Sequence, residues 1–448
     1  MAASAPAPSR PFVVLDERVR YQNYYDWRMV ECECESSVAY GCGPLGQQIV
    51  DGLTLLAGLG SGDDDEDHLP RLAVHALDEV LQRFEEEVRG ELARSQGIKV
   101  AMSGKIEAVD DEGGVLVLRL SFIDRYTNHY LRSYYLVYDR EAASLSLLPY
   151  HPTHCRTVYD RCPLLVRTHG GDGYSLVLTA ERDGIAGDEL GRHVLCLWAP
   201  SLHDGGDAGV GPWRIRQQRH AMAVPDMFNA ARAFTYKGKA FWADLAQGIL
   251  YCECADLLDD DASAVQFTFV ALPDEYRVDD PLDEELGFKR RAMGVGVGDS
   301  VWFVVLESCD HPGDTTVVVL SLDLSDGAVE RRWKRHLELS LLSIWALEGF
   351  VEAGLPRRVP WSPFLREQDA GIIYLLLPVA NMKSEEGCHL IGIDVRDRSQ
   401  PRLLPPRRLL IVPIFNYQPV LLPPEFFDTR PSNQEEALSL SQPSSIYP

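Results

Sequence analysis

Along most of the chain, apolar residues come in short runs rich in β-branched and aromatic side chains, separated by Gly, Asp and Pro. The runs at 115–122, 134–138, 174–180, 193–198 and 265–270 are of this kind, as are those at 301–306, 316–322, 371–377 and 388–395. Their length is that of a strand and too short for a typical helix, so each predicts a β-strand. One segment differs. Leu69, Leu72, Ala73, Ala76, Leu77, Val80, Leu81, Phe84, Val88 and Leu92 recur at intervals of three and four, with charged residues on the opposite face. That spacing predicts one long amphipathic helix over 68–94, inside an insertion at 63–96. The acidic run 63–67 stands where negative charge favours a helix N-terminus, and Pro70 fits a first turn.

The strand groups repeat. "GYSLVLTAE", "GKAFWADL", "DSVWFVVLE" and "AGIIYLLLP" begin at Gly173, Gly238, Asp299 and Ala370, at spacings of 65, 61 and 71 residues. Trp213 and Trp333 fall late in two of the groups, and an earlier unit spans 98–149. Imperfect repeats of sheet units at this period predict an all-β fold, a β-propeller of five to seven blades. Five blades are legible between 98 and 412, with 13–15 or the stretch near Val30 adding strands that close the ring. Two stacked antiparallel β domains are the competing architecture. The reading makes 12–427 a single domain. Residues 1–11 and 428–448, Pro- and Ser-rich without apolar periodicity, are expected to be disordered.

The 448 residues, 46% hydrophobic and 25% charged, suit a soluble globular protein with a core of its own. Charge narrows the partners. With 43 basic and 67 acidic residues the net charge is −24, which argues against general nucleic-acid binding and against docking on an anionic membrane. No apolar run nears the roughly 18 residues of a membrane span. The first residues lack the apolar core of a secretory signal, and no Asn-x-Ser/Thr acceptor occurs. The expectation is an intracellular monomer, cytoplasmic or nuclear, whose 10 cysteines are thiols.

Candidate chemistry is sparse. Gly41, Gly43 and Gly46 form a G-x-G-x-x-G, but 37–40 makes a poor strand and the chain downstream reads as antiparallel β, so an ordinary loop is expected. Cys32/Cys34 and Cys252/Cys254 are C-x-C pairs without zinc spacing. His151, His154, Cys155 and Cys162 gather four donors within twelve positions, in a loop marked by Pro152 and Pro163, again at no zinc spacing. The sequence therefore assigns no metal, no cofactor and no catalytic residue. The acidic clusters at 63–67, 256–261 and 274–285 read as solvated turns, or else as a patch for a basic partner.

Three stretches, "KAFWADLAQGILYCEC" (239–254), "RWKRHLELSLLSIWALEGF" (332–350) and "PFLREQDAGIIYLLLP" (363–378), resemble the plant family known as domain of unknown function 1618, which is expanded in grasses. The resemblance implies a propeller-like domain similar to those that follow F-boxes, and it carries no catalytic residues with it. The expected function is a non-enzymatic protein-interaction module. One alternative is a hydrolase or lyase with its site at the propeller channel. Another is a ubiquitin-ligase receptor that uses 68–84, whose Leu-Pro opening is faintly F-box-like, to hold an adaptor.

Overall fold

The computed structural model describes residues 13–15, 18–21, 27–60, 70–91, 99–110, 114–127, 129–152, 155–156, 162–168, 173–182, 193–200, 212–220, 224–225, 228–259, 263–278, 290–307, 311–325, 331–379, 387–409 and 420–422. The segments expected to be disordered lie outside these residues. The chain opens with β1 (Val13–Leu15), β2 (Arg18–Tyr21), β3 (Trp27–Glu31), β4 (Ser36–Ala39), α1 (Gly43–Asp51), β5 (Leu53–Gly60), β6 (Pro70–Ala76) and α2 (Asp78–Glu91).

Five antiparallel groups of consecutive strands follow, each called a sheet below. Sheet one is β7 (Val100–Val109), β8 (Val115–Asp124), β9 (Tyr130–Asp139) and β10 (Ser144–Pro149). Sheet two adds β11 (Cys155–Arg156) to β12 (Leu164–Arg167), β13 (Tyr174–Arg182), β14 (His193–Trp198) and β15 (Arg214–His220). Sheet three is β16 (Arg232–Tyr236), β17 (Lys239–Asp244), β18 (Gly248–Glu253) and β19 (Ala264–Ala271). Sheet four is β20 (Arg291–Val295), β21 (Ser300–Glu307), β22 (Thr316–Asp323) and β23 (Trp333–Ser340). Sheet five is β24 (Pro363–Phe364), β25 (Ile372–Pro378) and β26 (Cys388–Asp394), edged by β27 (Arg402–Leu403) and β28 (Arg407–Leu409). β7 of sheet one also pairs with β2, and β15 of sheet two with β19 of sheet three, so the first three belong to two larger sheets. The last described strand, β29 (Val420–Leu422), pairs antiparallel with β1.

The continuous apolar runs follow from burial on both faces. Side chains alternate along a strand, so a strand covered on one side alone reads apolar–polar. In β21, Val301, Phe303 and Val305 pack with Phe241 and Tyr251 of sheet three. Trp302, Val304 and Leu306 point the other way, onto Ile373, Leu375 and Leu377 of sheet five. Trp242 and Phe267 of sheet three likewise meet Val177 and Leu195 of sheet two, and Leu176 and Tyr174 of sheet two meet Val117 and Tyr135 of sheet one. Burying each such side chain contributes about 1.5–3 kcal/mol, so face-to-face stacking holds the series together.

The first strands β7, β12, β16, β20 and β24 touch one another in turn. The parallel pairing of β15 with β19 shows that sheets two and three run in the same sense. Val420 of β29 packs on the cluster that joins β5, β6 and α2 to sheet one, which returns the series to its start. The result is a β-rich, propeller-like fold.

Two expectations need correction. Residues 70–76 are a strand, not the first turns of a helix: β6 pairs antiparallel with β5 and parallel with β2. Leu72, Val74 and Ala76 are buried and His75 is exposed, which is strand alternation. Leu72, Ala73 and Ala76 also satisfy helical spacing, so the two periods coincide there. Val74, which the helical stripe omits, is what separates them. The helix of this region is α2 alone, with Val80, Phe84 and Val88 buried and Phe84 stacked on Phe122 at 4.1 Å between ring centroids.

The second correction is at Gly41–Gly46, where a strand precedes and a helix follows after all. β4 pairs parallel with β10, and α1 opens at Gly43. Gly41 has φ +65, and a Cβ there would lie 2.3 Å from Pro212 Cδ, so the turn requires glycine. α1 then folds its Gln47 back onto β4. The Gln47 carboxamide accepts from Ala39 N–H at 3.0 Å and donates to Ser37 O at 3.0 Å, covering a strand edge that would otherwise offer itself for pairing.

Candidate functional site

The turns from first to second strand lie at one end of the sheets, and their charged side chains converge there. Arg167, at the end of β12, pairs with Asp110 after β7. The Tyr236 hydroxyl of β16 donates to Gly298 O in the sheet-four turn at 2.5 Å, and the neighbouring Lys237 pairs with Asp299. Val297 lies against Gly371 of the sheet-five turn, whose φ of +89 and crowding by Arg396 again require glycine.

Beside it is a buried network. Asp369 Oδ2 accepts from Arg366 Nη1 at 3.0 Å and from the Tyr374 hydroxyl at 2.7 Å. The Arg366 and Asp369 side chains are 8% and 2% exposed. Burial raises the Tyr374 phenol above its usual range, and the hydrogen bond to Asp369 adds to this. At neutral pH the Tyr374 hydroxyl therefore keeps its proton and donates a hydrogen bond to Asp369. Arg396 holds Asp394 through Nε at 2.9 Å and Nη2 at 2.5 Å, lowering the carboxyl pKa and raising that of the guanidinium. The Arg167–Asp110, Lys237–Asp299 and Tyr236–Gly298 contacts thus join neighbouring sheets, while the Asp369 and Asp394 networks brace sheet five from within.

At the other end of sheet one, the β8–β9 hairpin holds two tyrosines in solvent, Tyr126 at 69% and Tyr130 at 63% exposure. The turn beneath them is fixed. Asp124 Oδ1 accepts from Tyr126 N–H at 3.1 Å and Oδ2 from the Thr127 hydroxyl at 2.8 Å. Thr127 Oγ1 in turn accepts from His129 N–H, and Arg125 N–H donates to Lys99 O. No apolar run marks this tip in the sequence. Its signal is an Asp and a Thr three apart between two strand runs, with one tyrosine between them and a second shortly after.

The cysteine and histidine candidates separate. Cys155 is buried where sheets one and two meet, the Cys162 thiol donates to Ala230 O at 3.6 Å, and His151 Nδ1 sits 3.2 Å from Pro152 O. His154 lies outside the described residues. Among the described residues, no group of three His, Cys, Asp or Glu is placed to hold a metal ion. Cys252 and Cys254 share the core between sheets two and three, while Cys32 is half-buried and Cys34 exposed. Burial pushes the Cys254 thiol up to about 11 and those of Cys32 and Cys388 to about 12, which keeps them protonated at neutral pH.

This is a β-rich chain of propeller-like sheets whose charged groups at one end are engaged with each other. The model of the family described as a protein of unknown function (DUF1618) matches residues 242–374, from β17 to β25. No curated protein matches the chain. Among solved structures it is similar to the phage phi92 endosialidase, at 8% identity and a TM-score of 0.33, over 82% of this chain and 64% of that one. A mutant NanB sialidase from Streptococcus pneumoniae aligns at 10% identity and a TM-score of 0.25, over 77% of this chain and 57% of that one. A thermostable family-43 glycoside hydrolase aligns at 11% identity and a TM-score of 0.23, over 65% of this chain and 90% of that one. The chain thus spans less than two thirds of either sialidase.

Proposed function

We propose that the chain is a non-enzymatic protein-interaction module built on a propeller of six units. Five are the sheets β7 to β28, and the sixth gathers the N-terminal strands with β29. The module is an intracellular monomer that presents loops at both ends of its sheets. The observation that carries this reading is the β8–β9 tip, where two tyrosines stand in solvent on a hydrogen-bonded turn. A tyrosine so held offers a large contact area and loses little freedom on binding, which is why such residues dominate interfaces. The pairing of charged groups at the opposite end supports the same reading, because their partners lie within the chain. Proximity labelling in cells, comparing the wild-type chain with a Tyr126→Ser/Tyr130→Ser variant of equal melting temperature, tests it. A set of neighbours lost only in the variant is expected. An unchanged set of neighbours would sink the proposal.

A further inference from the structure

The charge of this chain is unevenly placed. Residues 331–358 and 387–409 carry eleven of the 43 basic residues and five of the 67 acidic ones. The net charge of these segments is +6, which leaves −30 on the rest. They come together on the fold. β23 is the outer strand of sheet four, β27 and β28 edge sheet five, and the two sheets face each other across one apolar cluster. Their rims touch where Arg398 Nη2 meets His336 Nδ1 at 2.9 Å, with the His336 ring 4.9 Å from that of Trp302.

Lys334, Arg398, Arg402 and Arg408 are exposed along this rim; Arg335 and Arg396, exposed as well, are already held by Glu338 and Asp394. Three of the five carboxylates are engaged, Asp394 with Arg396, Glu338 with Arg335 and Asp397 with Ser399; the other two, Glu348 and Glu352, are exposed on a short helix that packs on β27. Two half-buried histidines lie beside these arginines. Burial lowers the pKa of both, and a neighbouring arginine lowers each further, Arg398 for His336 and Arg408 for His389.

We infer that the joined rims of sheets four and five form a docking surface for an acidic segment of a partner protein. The inference rests on the interaction reading above but uses a different surface. Guanidinium groups suit this ligand, since each can hold a carboxylate through two parallel hydrogen bonds. Size selects a short segment over a long polyanion. Beyond the rim the chain carries −30, and charges further off than about 8 Å are screened at physiological salt. A short acidic segment needs only the rim, whereas a long polyanion is opposed by the net charge of the rest of the chain.

The test uses the full chain and immobilised random peptides in three pools: acidic, basic and uncharged. The wild type is expected to retain the acidic pool above the other two, and less so as salt rises. Arg402→Glu/Arg408→Glu is expected to weaken retention by about tenfold or more. Arg402→Gln/Arg408→Gln serves as the milder change should the reversal lower the melting temperature. Retention of the acidic pool no greater than that of the uncharged pool overturns the inference, as does retention that neither rim variant alters. A salt-sensitive dimer abolished by the same variants also overturns it, because the occupant would then be an acidic run of a second copy. If the peptides are retained through Tyr126 and Tyr130 alone, the interaction reading survives and the rim inference falls.

Discussion

At the scale of single residues, the tryptophans were legible in the sequence and the tyrosines were not. Trp242 and Trp302 sit within unbroken apolar runs, and both are fully buried. Trp345, in the run "LLSIWAL", is buried in the short helix Leu341–Trp345 against the sheet-four cluster. Tyr126 and Tyr130 left no such trace, because an exposed aromatic at a hairpin tip has no periodic neighbours. Trp302→Ala is expected to cost about 3–5 kcal/mol, since it empties the space between sheets four and five. Urea unfolding measures it, and a wild-type midpoint would show the site to be tolerant of a cavity. The histidines on the rim set a pH dependence. Both pKa values are lowered in the folded chain, so near pH 6.5 the unfolded chain binds more protons and stability rises with pH. The contribution is complete above the unfolded value and fades as pH falls below it. His336→Gln should flatten that part of a melting-temperature profile, and an unaltered slope would deny His336 the role.

At the scale of elements, the strand runs of sheets one to five could be read directly because burial on both faces makes them continuously apolar. The N-terminal region misled because one stretch satisfied two periods. Leu77, expected on the apolar stripe, is 51% exposed and stands just before α2, where its carbonyl accepts from Val80 N–H and Leu81 N–H. An aspartate at that position would accept from the first free helical amides, an effect of about 0.5–2 kcal/mol for good caps. Leu77→Asp is therefore expected to leave the melting temperature unchanged or raise it slightly. Phe84→Ala removes a ring wedged against Phe122 beneath Arg132, and should cost about 3–5 kcal/mol. Thermal melts of the two variants decide the matter. If Leu77→Asp proves the more damaging, Leu77 is covered by something that α2 and β6 do not supply.

At the scale of the whole molecule, the sequence put 13–15 among the strands that could close the series, and β1 is that strand; what it did not disclose is the partner, β29. A strand of three residues has no periodicity to read, and its partner stands some four hundred residues away. The structure joins them: Val13, Val14 and Leu15 pair with Leu422, Leu421 and Val420. Val420 packs on the cluster formed by β5, β6, α2 and sheet one, so the pair ties the chain's last described strand to its first layer. Removing either strand leaves the other without its ladder, and the unpaired strand no longer contributes what pairing gave it. Two truncations, one deleting residues 1–16 and one deleting residues 418–448, are thus expected to lower stability by similar amounts. Their combination should cost little more than either alone, because both remove the same interaction. Chemical denaturation of the three truncated chains beside the full chain gives the coupling directly. Costs that simply add would show that β1 and β29 stabilise the fold separately, and that their pairing is not what closes it.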